Sequence, residues 1–348
     1  MKNRENKWLY GGCMQVVGII GAGYWGKNLV RTFNSLTSVT LKYVADTSEK
    51  ILSGISTAYP RIRTTARYHD MLEDSEVTAV VICAPAVLHY ESARDALLAG
   101  KHVFVEKPIA LKADDARDLV SIADQRKQTL MVGHLLLYHP CISEIKQYIE
   151  SGEIGDIYYL YSQRLNLGKI RHDENALLSF APHDISVAIY LMGAAPVSVS
   201  AWGASYLQKD IEDVVFLSMK FSNNRIAHVH VSWLDPHKIR KTTVVGSKKM
   251  VVFDDMEPRE KIKIYDKGVE KSVDYGSYGE FLSLRDGNIY SPAIKIIEPL
   301  LLECEHFIHC IEEDIKPISD GRNGMAVTQV LEAAQLSLKS GGNYSVIE

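Results

Sequence analysis

The sequence predicts an α/β protein in which a doubly wound parallel sheet precedes a second α/β domain with an open, largely antiparallel sheet. Three observations predict this fold. Strand-like and helix-like segments alternate through the first part of the chain, as in successive βαβ units. Strand-like runs then follow one another with a single helix among them, which is typical of an antiparallel sheet. A chain of 348 residues is also longer than an ordinary domain with a single hydrophobic core, so two domains are expected.

The strand–helix alternation stops near Pro140, and we place the domain boundary just before it. We expect a first domain over residues 14–134 and a second domain over residues 135–348. Residues 1–13 are polar and charged, without the apolar core of a signal peptide, and are expected to form an N-terminal arm.

Composition excludes several classes of protein. The net charge is -4 and the pI is about 6.3, whereas a nucleic-acid-binding protein usually carries a basic excess. No apolar run approaches the length of a membrane span. The five cysteines show no paired spacing and are expected to be reduced thiols. We therefore expect a cytoplasmic protein with no nucleic-acid or membrane partner.

The first strand, Gln15–Ile20, ends at the sequence Gly21-Ala22-Gly23-Tyr24-Trp25-Gly26, and a helical pattern follows. A Gly-x-Gly-x-x-Gly motif between a strand and a helix is the context of a dinucleotide-binding loop. Gly21 permits the tight turn, Gly23 lets the backbone approach a pyrophosphate, and Gly26 lets the helix pack close to the strand. The N–H groups at the start of the helix are suited to the phosphates.

Asp46 follows the second strand, Thr40–Ala45, about 20 residues after the last glycine of the motif. An acid at this spacing accepts hydrogen bonds from the ribose hydroxyls and repels a 2′-phosphate. No arginine stands next to Asp46, so the sequence favours NAD over NADP. The alternative is that Asp46 caps the helix over Ser48–Tyr59.

The remaining elements of the first domain continue the alternation. A buried strand over Ala79–Ala84 ends at Pro85, and the helix after it is closed by Gly100. Further elements are expected at Tyr90–Ala99 (helix), His102–Val105 (strand), Ala113–Arg126 (helix) and Thr129–Gly133 (strand).

The strand at His102 runs directly into Glu106-Lys107-Pro108. Ligands of an open parallel sheet bind beyond the carboxyl ends of its strands, so Lys107 is expected at the mouth of that crevice. Pro108 fixes its own φ and restricts Lys107. Taken alone, the tripeptide also fits an ordinary surface turn.

The second domain begins with a helix over Cys141–Ser151 and contains one more helix, Phe180–Met192, among its strands. We expect strands at Ile157–Asn166, Val197–Gly203, Val214–Phe221, Ala227–Trp233, Thr242–Gly246, Met250–Asp254 and Ile262–Asp266. A loop is expected between Asp266 and Pro292, and two closing helices at Pro299–Ile315 and Met325–Leu338.

Aromatic residues lie on both faces of the strand that contains Tyr158 to Tyr161. When helices cover one face of a sheet, the other face has to contact either water or a second subunit. We therefore expect a homo-oligomer, a dimer or a tetramer. His228 and His230 alternate along one strand without an evident third ligand, so we expect no metal site.

With these elements placed, the chain resembles the Gfo/Idh/MocA family of nicotinamide-dependent oxidoreductases over nearly its whole length after Met14. The resemblance lies in the Gly21–Gly26 motif, Asp46, the strand end at Ala84-Pro85, the tripeptide Glu106-Lys107-Pro108, and His183. It implies an N-terminal Rossmann domain and a C-terminal α/β domain. It further implies cofactor contacts from Gly21, Gly23, Tyr24, Trp25, Gly26, Asp46, Ala84, Pro85, His89, Glu106 and Lys107.

The second domain is similar to the branch of this family that acts on UDP-linked N-acetylated sugars. The similarity lies in the runs from Arg164 to Asn175, from Ala181 to Ser186 and from Ser232 to Arg240. It implies oxidation of the 3-hydroxyl of a UDP-N-acetylhexosamine, most simply UDP-N-acetylglucosamine, to a 3-keto sugar that feeds a 2,3-diamino sugar pathway. One position departs from the family pattern: Ser179 stands four residues before His183, where many members carry Asp.

Oxidation of a secondary alcohol needs a hydride acceptor, which the nicotinamide supplies, and a base. His183 is the expected base, since imidazole titrates near neutral pH, and Lys107 is expected to stabilise the developing negative charge on the reacting oxygen. Taken alone, His183 also fits an ordinary core histidine. Positively charged and amide side chains expected to bind the UDP-sugar are Arg164, Asn166, Arg171, Asn175, Lys238 and Arg240.

Two other functions fit the same residues. One is a 3-ketoreductase that acts on a nucleotide deoxysugar with NADPH, which Asp46 argues against. The other is a sensor that binds NAD and a sugar nucleotide without turnover, which a retained Lys107 and His183 argue against. The sequence leaves open the sugar epimer, a 6-carboxylate, and the route by which the cofactor is reoxidised.

Overall fold

The computed structural model describes residues 14–347 except 169, 173 and 274–279, so the predicted arm over residues 1–13 lies outside the described residues. The described chain divides into two compact units. The first contains the residues up to Leu111, Asp115–Gly133 and Leu300–Gly321, and the second contains Lys112–Asp114, His134–Pro299 and the residues from Arg322 onward.

The first unit is built on a six-stranded sheet in which every neighbouring pair is parallel, with the strand order β3-β2-β1-β4-β5-β6. Its strands are β1 (Gln15–Ile20), β2 (Val39–Ala45), β3 (Arg63–Thr65), β4 (Ala79–Ile82), β5 (His102–Glu106) and β6 (Leu130–Gly133). The helices between them are α1 (Gly26–Ser35), α2 (Glu49–Ala58), α3 (His69–Glu73), α4 (His89–Leu98) and α5 (Ala113–Arg126). The predicted doubly wound sheet is confirmed.

The order of this sheet reverses between β1 and β4, which lie side by side although they are not consecutive in the chain. The loops after β1, β2, β4 and β5 therefore emerge at one edge of the sheet, around the point where ligands of such folds bind. Those loops carry the Gly-rich motif, Asp46, Pro85 and Lys107.

The second unit is built on a nine-stranded sheet with the order β14-β13-β12-β11-β7-β10-β9-β8-β15. Its elements are α6 (Pro140–Glu150), β7 (Ile157–Leu165), α7 (Ala176–Met192), β8 (Ser198–Ala204), β9 (Val214–Lys220), β10 (Ile226–Ser232), β11 (Ile239–Gly246), β12 (Met250–Asp254), β13 (Ile262–Val273), β14 (Glu280–Tyr290), α9 (Gly321–Lys339) and β15 (Ser345–Val346). Strands β7 and β10 pair in parallel, and the other neighbours pair antiparallel. The predicted largely antiparallel sheet is confirmed.

Helix α7 packs on β7, β9 and β10 and covers one face of this sheet. Leu160 and Ser162 point to that face and are buried. The alternate residues of the same strands point the other way, and large side chains among them remain exposed: Tyr159, Tyr161, Trp202, Phe216 and Ile226. Phe216 also stacks on His230, with ring centroids 4.2 Å apart.

The loop predicted between Asp266 and Pro292 is wrong. Strands β13 and β14 form a long hairpin there, in which Ile264 pairs with Tyr290 and Val269 pairs with Leu284. The described tip of this hairpin is exposed, as Leu284 shows with 87% of its surface accessible. Beyond Ile264 the side chains that the structure describes in this hairpin are half-buried or exposed, so no buried apolar alternation marks that part of it in the sequence.

The second predicted domain also differs from the observed unit. Helix α8 (Pro299–Glu312) and the residues up to Gly321 belong to the first unit. Phe307 of α8 is fully buried and packs edge-on against Phe104 of β5, with ring centroids 5.7 Å apart, and against Phe33 of α1 at 6.5 Å. Aromatic packing therefore brings this late segment back to the first core.

Candidate active site

The Gly-rich loop has a conformation that only glycine satisfies at two of its positions. Gly21 has a φ of +88°, and a Cβ atom there would lie 2.6 Å from the carbonyl oxygen of Cys83. At Gly26 a Cβ atom would lie 2.2 Å from the carbonyl oxygen of Gly21. Gly23, in contrast, faces open space, which leaves its backbone accessible to a bound phosphate.

Helix α1 begins directly at this loop. Its N-cap residue, Trp25, makes no side-chain capping bond, and its first turn holds no acidic residue. The N–H groups of Lys27 and Asn28 donate to the carbonyl oxygens of Gly23 and Trp25, at 3.3 and 2.8 Å, and the helix dipole favours negative charge at this end. The loop and the helix start fit the pyrophosphate of a dinucleotide.

Asp46 is fixed against the same loop. One carboxylate oxygen accepts the N–H of Ala22 at 2.9 Å, and the other accepts the N–H of Ser48, also at 2.9 Å. The N-cap of α2 is Ser48, so Asp46 is not the helix cap considered as its alternative role. A carboxylate held in this way lies where the ribose of a bound dinucleotide is expected.

His89 joins two strand ends. Its ring is buried, with Nε2 2.8 Å from the carbonyl oxygen of Ala84 and Nδ1 2.7 Å from the carbonyl oxygen of Pro108. Burial lowers the pKa of this imidazole, and the charge of Lys107 lowers it further. Both ring nitrogens lie within hydrogen-bond distance of carbonyl oxygens of the protein, and a neutral imidazole donates to one of the two.

Glu106 connects the Gly-rich loop to the end of β5. Its Oε1 accepts the indole N–H of Trp25 at 2.5 Å, and its Oε2 accepts the backbone N–H of Lys107 at 3.2 Å. Burial outweighs the Trp25 bond and the charge of Lys107, which both lower the pKa of Glu106, and that pKa is raised overall to about 7. Lys107 is half-buried at the strand end, with its charge beside this carboxyl.

Glu303 is a member of this region that the sequence did not reveal. It lies on α8, is fully buried, and neither of its carboxyl oxygens has a hydrogen-bond partner among the described residues. A signal was present in the sequence: the buried stripe of α8 runs through Leu300, Glu303, Cys304 and Phe307, which places an acid at an apolar position.

In the second unit, His183 lies two turns into α7, and its ring is half-buried with Nδ1 out of contact with solvent. Ser179 lies one turn before it and is buried. The following residue, Asp184, is buried in an ion pair with Arg164 of β7, whose Nε donates to Oδ2 at 2.6 Å. Arg164 is thereby fixed at the sheet face that α7 covers.

Strand register brings a second arginine beside the first. Arg240 of β11 pairs with Arg164 of β7 in the antiparallel ladder, so the two side chains share a face of the sheet. Arg240 lies 3.6 Å from a carboxylate oxygen of Asp255 and remains partly exposed. Asn166 directly follows β7, and the exposed Lys238 directly precedes β11. Four of the predicted substrate residues therefore gather at this end of the sheet.

The other two predicted substrate residues are engaged within the protein. Asn175 is the N-cap of α7: its side chain accepts the N–H of Leu178 at 3.1 Å and donates to Glu212 at 2.6 Å. Arg171 forms an ion pair with Glu174 at 3.2 Å. Asn175 therefore has a structural role that the sequence pattern alone did not distinguish from sugar recognition.

Comparison with known proteins identifies the class of the chain. A family model described as "Oxidoreductase family, NAD-binding Rossmann fold" matches residues 16–134. A second, "GFO/IDH/MocA C-terminal domain", matches residues 142–252, so the two span more than half of the chain. The protein is an oxidoreductase with an NAD-binding Rossmann domain. It belongs to the Gfo/Idh/MocA family, and the predicted family and cofactor are confirmed.

The relatives of this chain are named for different activities, and one of them has no named activity. An uncharacterized oxidoreductase of Streptococcus pneumoniae is 30% identical over 226 residues, which cover 60% of this chain and 60% of that protein. UDP-N-acetylglucosamine 3-dehydrogenase of Acidithiobacillus ferrooxidans is 26% identical, covering 89% of this chain and 93% of that protein. Inositol 2-dehydrogenase of Rhizobium meliloti is 25% identical, covering 94% and 98%.

A solved structure of the Acidithiobacillus ferrooxidans enzyme has the same fold. It matches with a TM-score of 0.78 at 24% identity, covering 94% of this chain and 98% of that chain. Among the described residues, no helix has both the length and the apolar character needed to cross a bilayer.

Proposed function

We propose that this protein is an NAD-dependent dehydrogenase that oxidises the 3-hydroxyl of a UDP-linked N-acetylated hexosamine, with UDP-N-acetylglucosamine as the first candidate. The observation that carries the proposal is the adjacent pair Arg164 and Arg240, with Lys238 beside them at the same end of the sheet. A diphosphate needs such a group of cations, and arginine offers it bidentate contacts. A cyclitol such as inositol has no charge for them to bind.

Similarity to UDP-N-acetylglucosamine 3-dehydrogenase over most of both chains supports the same substrate class. In each arginine, the ion pair with an aspartate engages only part of the guanidinium, which has five N–H donors in all. The remaining donors are suited to phosphate oxygens. Asn166, next to Arg164 in the chain, is suited to a sugar hydroxyl or to the acetamido group.

The residues that hold the cofactor are the Gly-rich loop, the start of α1 and Asp46. NAD supplies the hydride acceptor when it is bound. Lys107 donates a hydrogen bond to the reacting oxygen and stabilises its developing negative charge. His183 accepts the hydroxyl proton as the general base. His89 lies between the loops after β4 and β5, with its ring nitrogens at hydrogen-bond distance from the carbonyl oxygens of Ala84 and Pro108.

A panel of substrates tests this proposal. The protein is incubated with NAD and, in turn, UDP-N-acetylglucosamine, UDP-N-acetylgalactosamine, UDP-glucose and myo-inositol, with a carbonyl-trapping reagent present, and the absorbance of the reduced nicotinamide is followed. We expect the two N-acetylated UDP-sugars to be oxidised fastest. Faster oxidation of myo-inositol would contradict the proposal, and binding of NAD and UDP-sugar without any reduction would indicate a sensor.

The same panel, run in reverse with NADH or NADPH and a nucleotide-linked 3-keto deoxysugar, tests the alternative ketoreductase. Reduction that proceeds faster with NADPH than any oxidation with NAD would favour that function. We expect the opposite, because the Asp46 carboxylate repels a 2′-phosphate.

We further propose a homo-oligomer, a dimer or a tetramer, joined through the open face of the second sheet, in the cytoplasm. This face exposes Tyr159, Tyr161, Trp202 and Phe216, and an apolar patch of this kind marks an interaction surface. A cytoplasmic location fits the four described cysteines, which are free thiols. Light scattering should show an oligomer that the substitution Phe216→Glu dissociates. A monomeric wild-type protein at micromolar concentration would refute this assembly.

A further inference from the structure

Glu303 is an acidic residue in the buried interior of the first unit. Its side chain is fully buried on α8, and its two carboxyl oxygens have no hydrogen-bond partner among the described residues. An ionised carboxylate in such a place would lose its hydration without compensation, so the group retains its proton instead. Burial raises the pKa of Glu303 well above its ordinary value, and the neighbouring Glu106 raises it further.

The packing of α8 on β5 shows why the two acids meet. Phe307 of α8 packs on Phe104 of β5, with ring centroids 5.7 Å apart. Glu303 lies one helical turn before Phe307 and so faces the same way. Glu106 lies two residues after Phe104 and points to the same side of the sheet. Both carboxyls therefore lie on the side of β5 against which α8 packs, where the charge of Glu106 acts on Glu303.

The ionisable groups that act on this pair come from the neighbouring strand ends. Lys107 of the β5 loop lowers the pKa of Glu106. The Cys83 thiol after β4 has its own pKa raised by burial and by Glu106, so it stays neutral. Phe33 of α1 adds only apolar surface. Among these groups Lys107 supplies the positive charge, and burial keeps the pKa values of both carboxyls raised.

We propose that Glu106 and Glu303 form a two-carboxyl proton reservoir that responds to the charge of the nicotinamide. The oxidised cofactor carries a positive ring, and its binding at the loop that Trp25 anchors to Glu106 drives protons from the pair into solvent. An uncharged reduced ring would not favour the carboxylate form, so beside NADH the pair would hold protons taken from solvent. Each proton moves between a carboxyl oxygen and water, and no electron is transferred in this exchange.

This inference rests on NAD binding alone and not on the sugar substrate proposed above, so either can fail without the other. Its physical basis is linkage: a cation that favours the carboxylate form is itself bound more tightly by that form. Two coupled carboxyls titrate in two steps, so the protons released on NAD binding should extend over a wider pH range than one carboxyl can supply.

Isothermal titration calorimetry in buffers of different ionisation enthalpy measures the protons released. For the wild-type protein near pH 7, we expect NAD binding to release a measurable fraction of a proton, because burial raises the pKa of Glu106 toward neutrality. NADH binding should release almost none. Equal proton release for NAD and NADH would overturn the proposal.

Two variants separate the members of the pair. Glu106→Gln should abolish the release near neutral pH. Glu303→Gln keeps the size of the side chain but holds no exchangeable carboxyl proton, so the release should be lost on the alkaline side and retained near neutral pH. The matched control is Glu305→Gln, since Glu305 lies on the same helix but is exposed, and it should release protons as the wild type does.

NADH binding also shows whether a variant is correctly folded, because NADH has no charged nicotinamide ring and its binding does not depend on the charge of the carboxyl pair. A Glu303→Gln protein that binds NADH like the wild type, and that releases protons over the full wild-type pH range, would show that Glu303 has no part in the reservoir. If that variant fails to bind NADH, Glu106→Gln decides instead, and an unchanged proton release in it would contradict the proposal.

Discussion

The indole N–H of Trp25 donates to the Glu106 carboxylate at 2.5 Å, and this bond ties the dinucleotide-binding loop to the strand end that carries Lys107. The two residues are 81 positions apart in the chain. Because strands β1, β4 and β5 are neighbours in that order, their loops meet at one edge, and a side chain from the first loop can reach the third. This hydrogen bond therefore couples the position of the dinucleotide-binding loop to that of Lys107.

Replacing Trp25 with Phe tests this coupling. The substitution keeps an aromatic ring but leaves a buried acceptor of Glu106 unsatisfied, which costs about 1–3 kcal/mol. We expect the free energy of unfolding to fall by this order and the Kd for NAD to rise several-fold. The matched control for stability is Tyr24→Phe: the Tyr24 side chain is 88% exposed in the same loop, so loss of its hydroxyl should leave the free energy of unfolding unchanged. A Trp25→Phe protein with unchanged stability and NAD affinity would contradict the coupling.

Replacing Asp46 with Ser tests the cofactor preference. The carboxylate that accepts the N–H of Ala22 is expected to repel the 2′-phosphate of NADP, and serine removes that charge. The ratio of kcat/KM with NAD to that with NADP should fall toward one. A wild-type protein that uses NADP at least as efficiently as NAD would show that Asp46 does not set the preference.

The sequence predicted this edge of the first sheet well because each loop there contains residues with local constraints. The turn at Gly21 and the close backbone approach at Gly26 admit only glycine, and Pro108 fixes its own φ, so a pattern of a few residues indicates these conformations. Glu303 was missed because its position depends on α8 returning to the first unit through Phe307, a contact between residues far apart in the chain.

In the second unit, too, the site depends on contacts between residues far apart in the chain, which the sequence alone does not predict. The pairing of Arg164 with Arg240 depends on the register of β7 and β11, which no local pattern specifies. The ion pair of Arg164 with Asp184 and the capping role of Asn175 likewise depend on where α7 begins and how it packs on the sheet. The sequence identified these polar residues as candidates, and tertiary structure decides which of them are already engaged.

Replacing Arg240 with Gln tests the proposed phosphate site. Loss of one charged hydrogen-bonding partner should raise the KM for a UDP-sugar by about tenfold, since such bonds contribute about 1.5–3 kcal/mol, while kcat changes little. Lys241→Gln is the matched control: Lys241 is the next residue of β11, points to the opposite face and pairs with Asp254 at 2.9 Å. Equal effects of the two substitutions on KM would remove Arg240 from the site.

Comparison of Lys107→Ala with His183→Asn tests how the two groups divide the chemistry. Loss of a preorganised donor to the reacting oxygen costs on the order of 3 kcal/mol, or about a hundredfold or more in rate. General-base loss is typically worth about 10²–10⁴-fold, but Lys107 can take over part of that role, and the residue one turn before His183 is the uncharged Ser179. We expect Lys107→Ala to be the more damaging, with NAD still bound by both. Near-normal hydride transfer in Lys107→Ala would remove Lys107 from the mechanism.

The most direct measurement follows the hydrogen that the proposed reaction moves. UDP-N-acetylglucosamine labelled with deuterium at C3 is mixed with NAD and excess protein in a single turnover, and both products are analysed by mass spectrometry. We expect the deuterium to appear in the reduced nicotinamide and the sugar to become a 3-keto product without the label. Deuterium retained on the sugar, or no reduced nicotinamide while both ligands are bound, would contradict oxidation at the 3-hydroxyl.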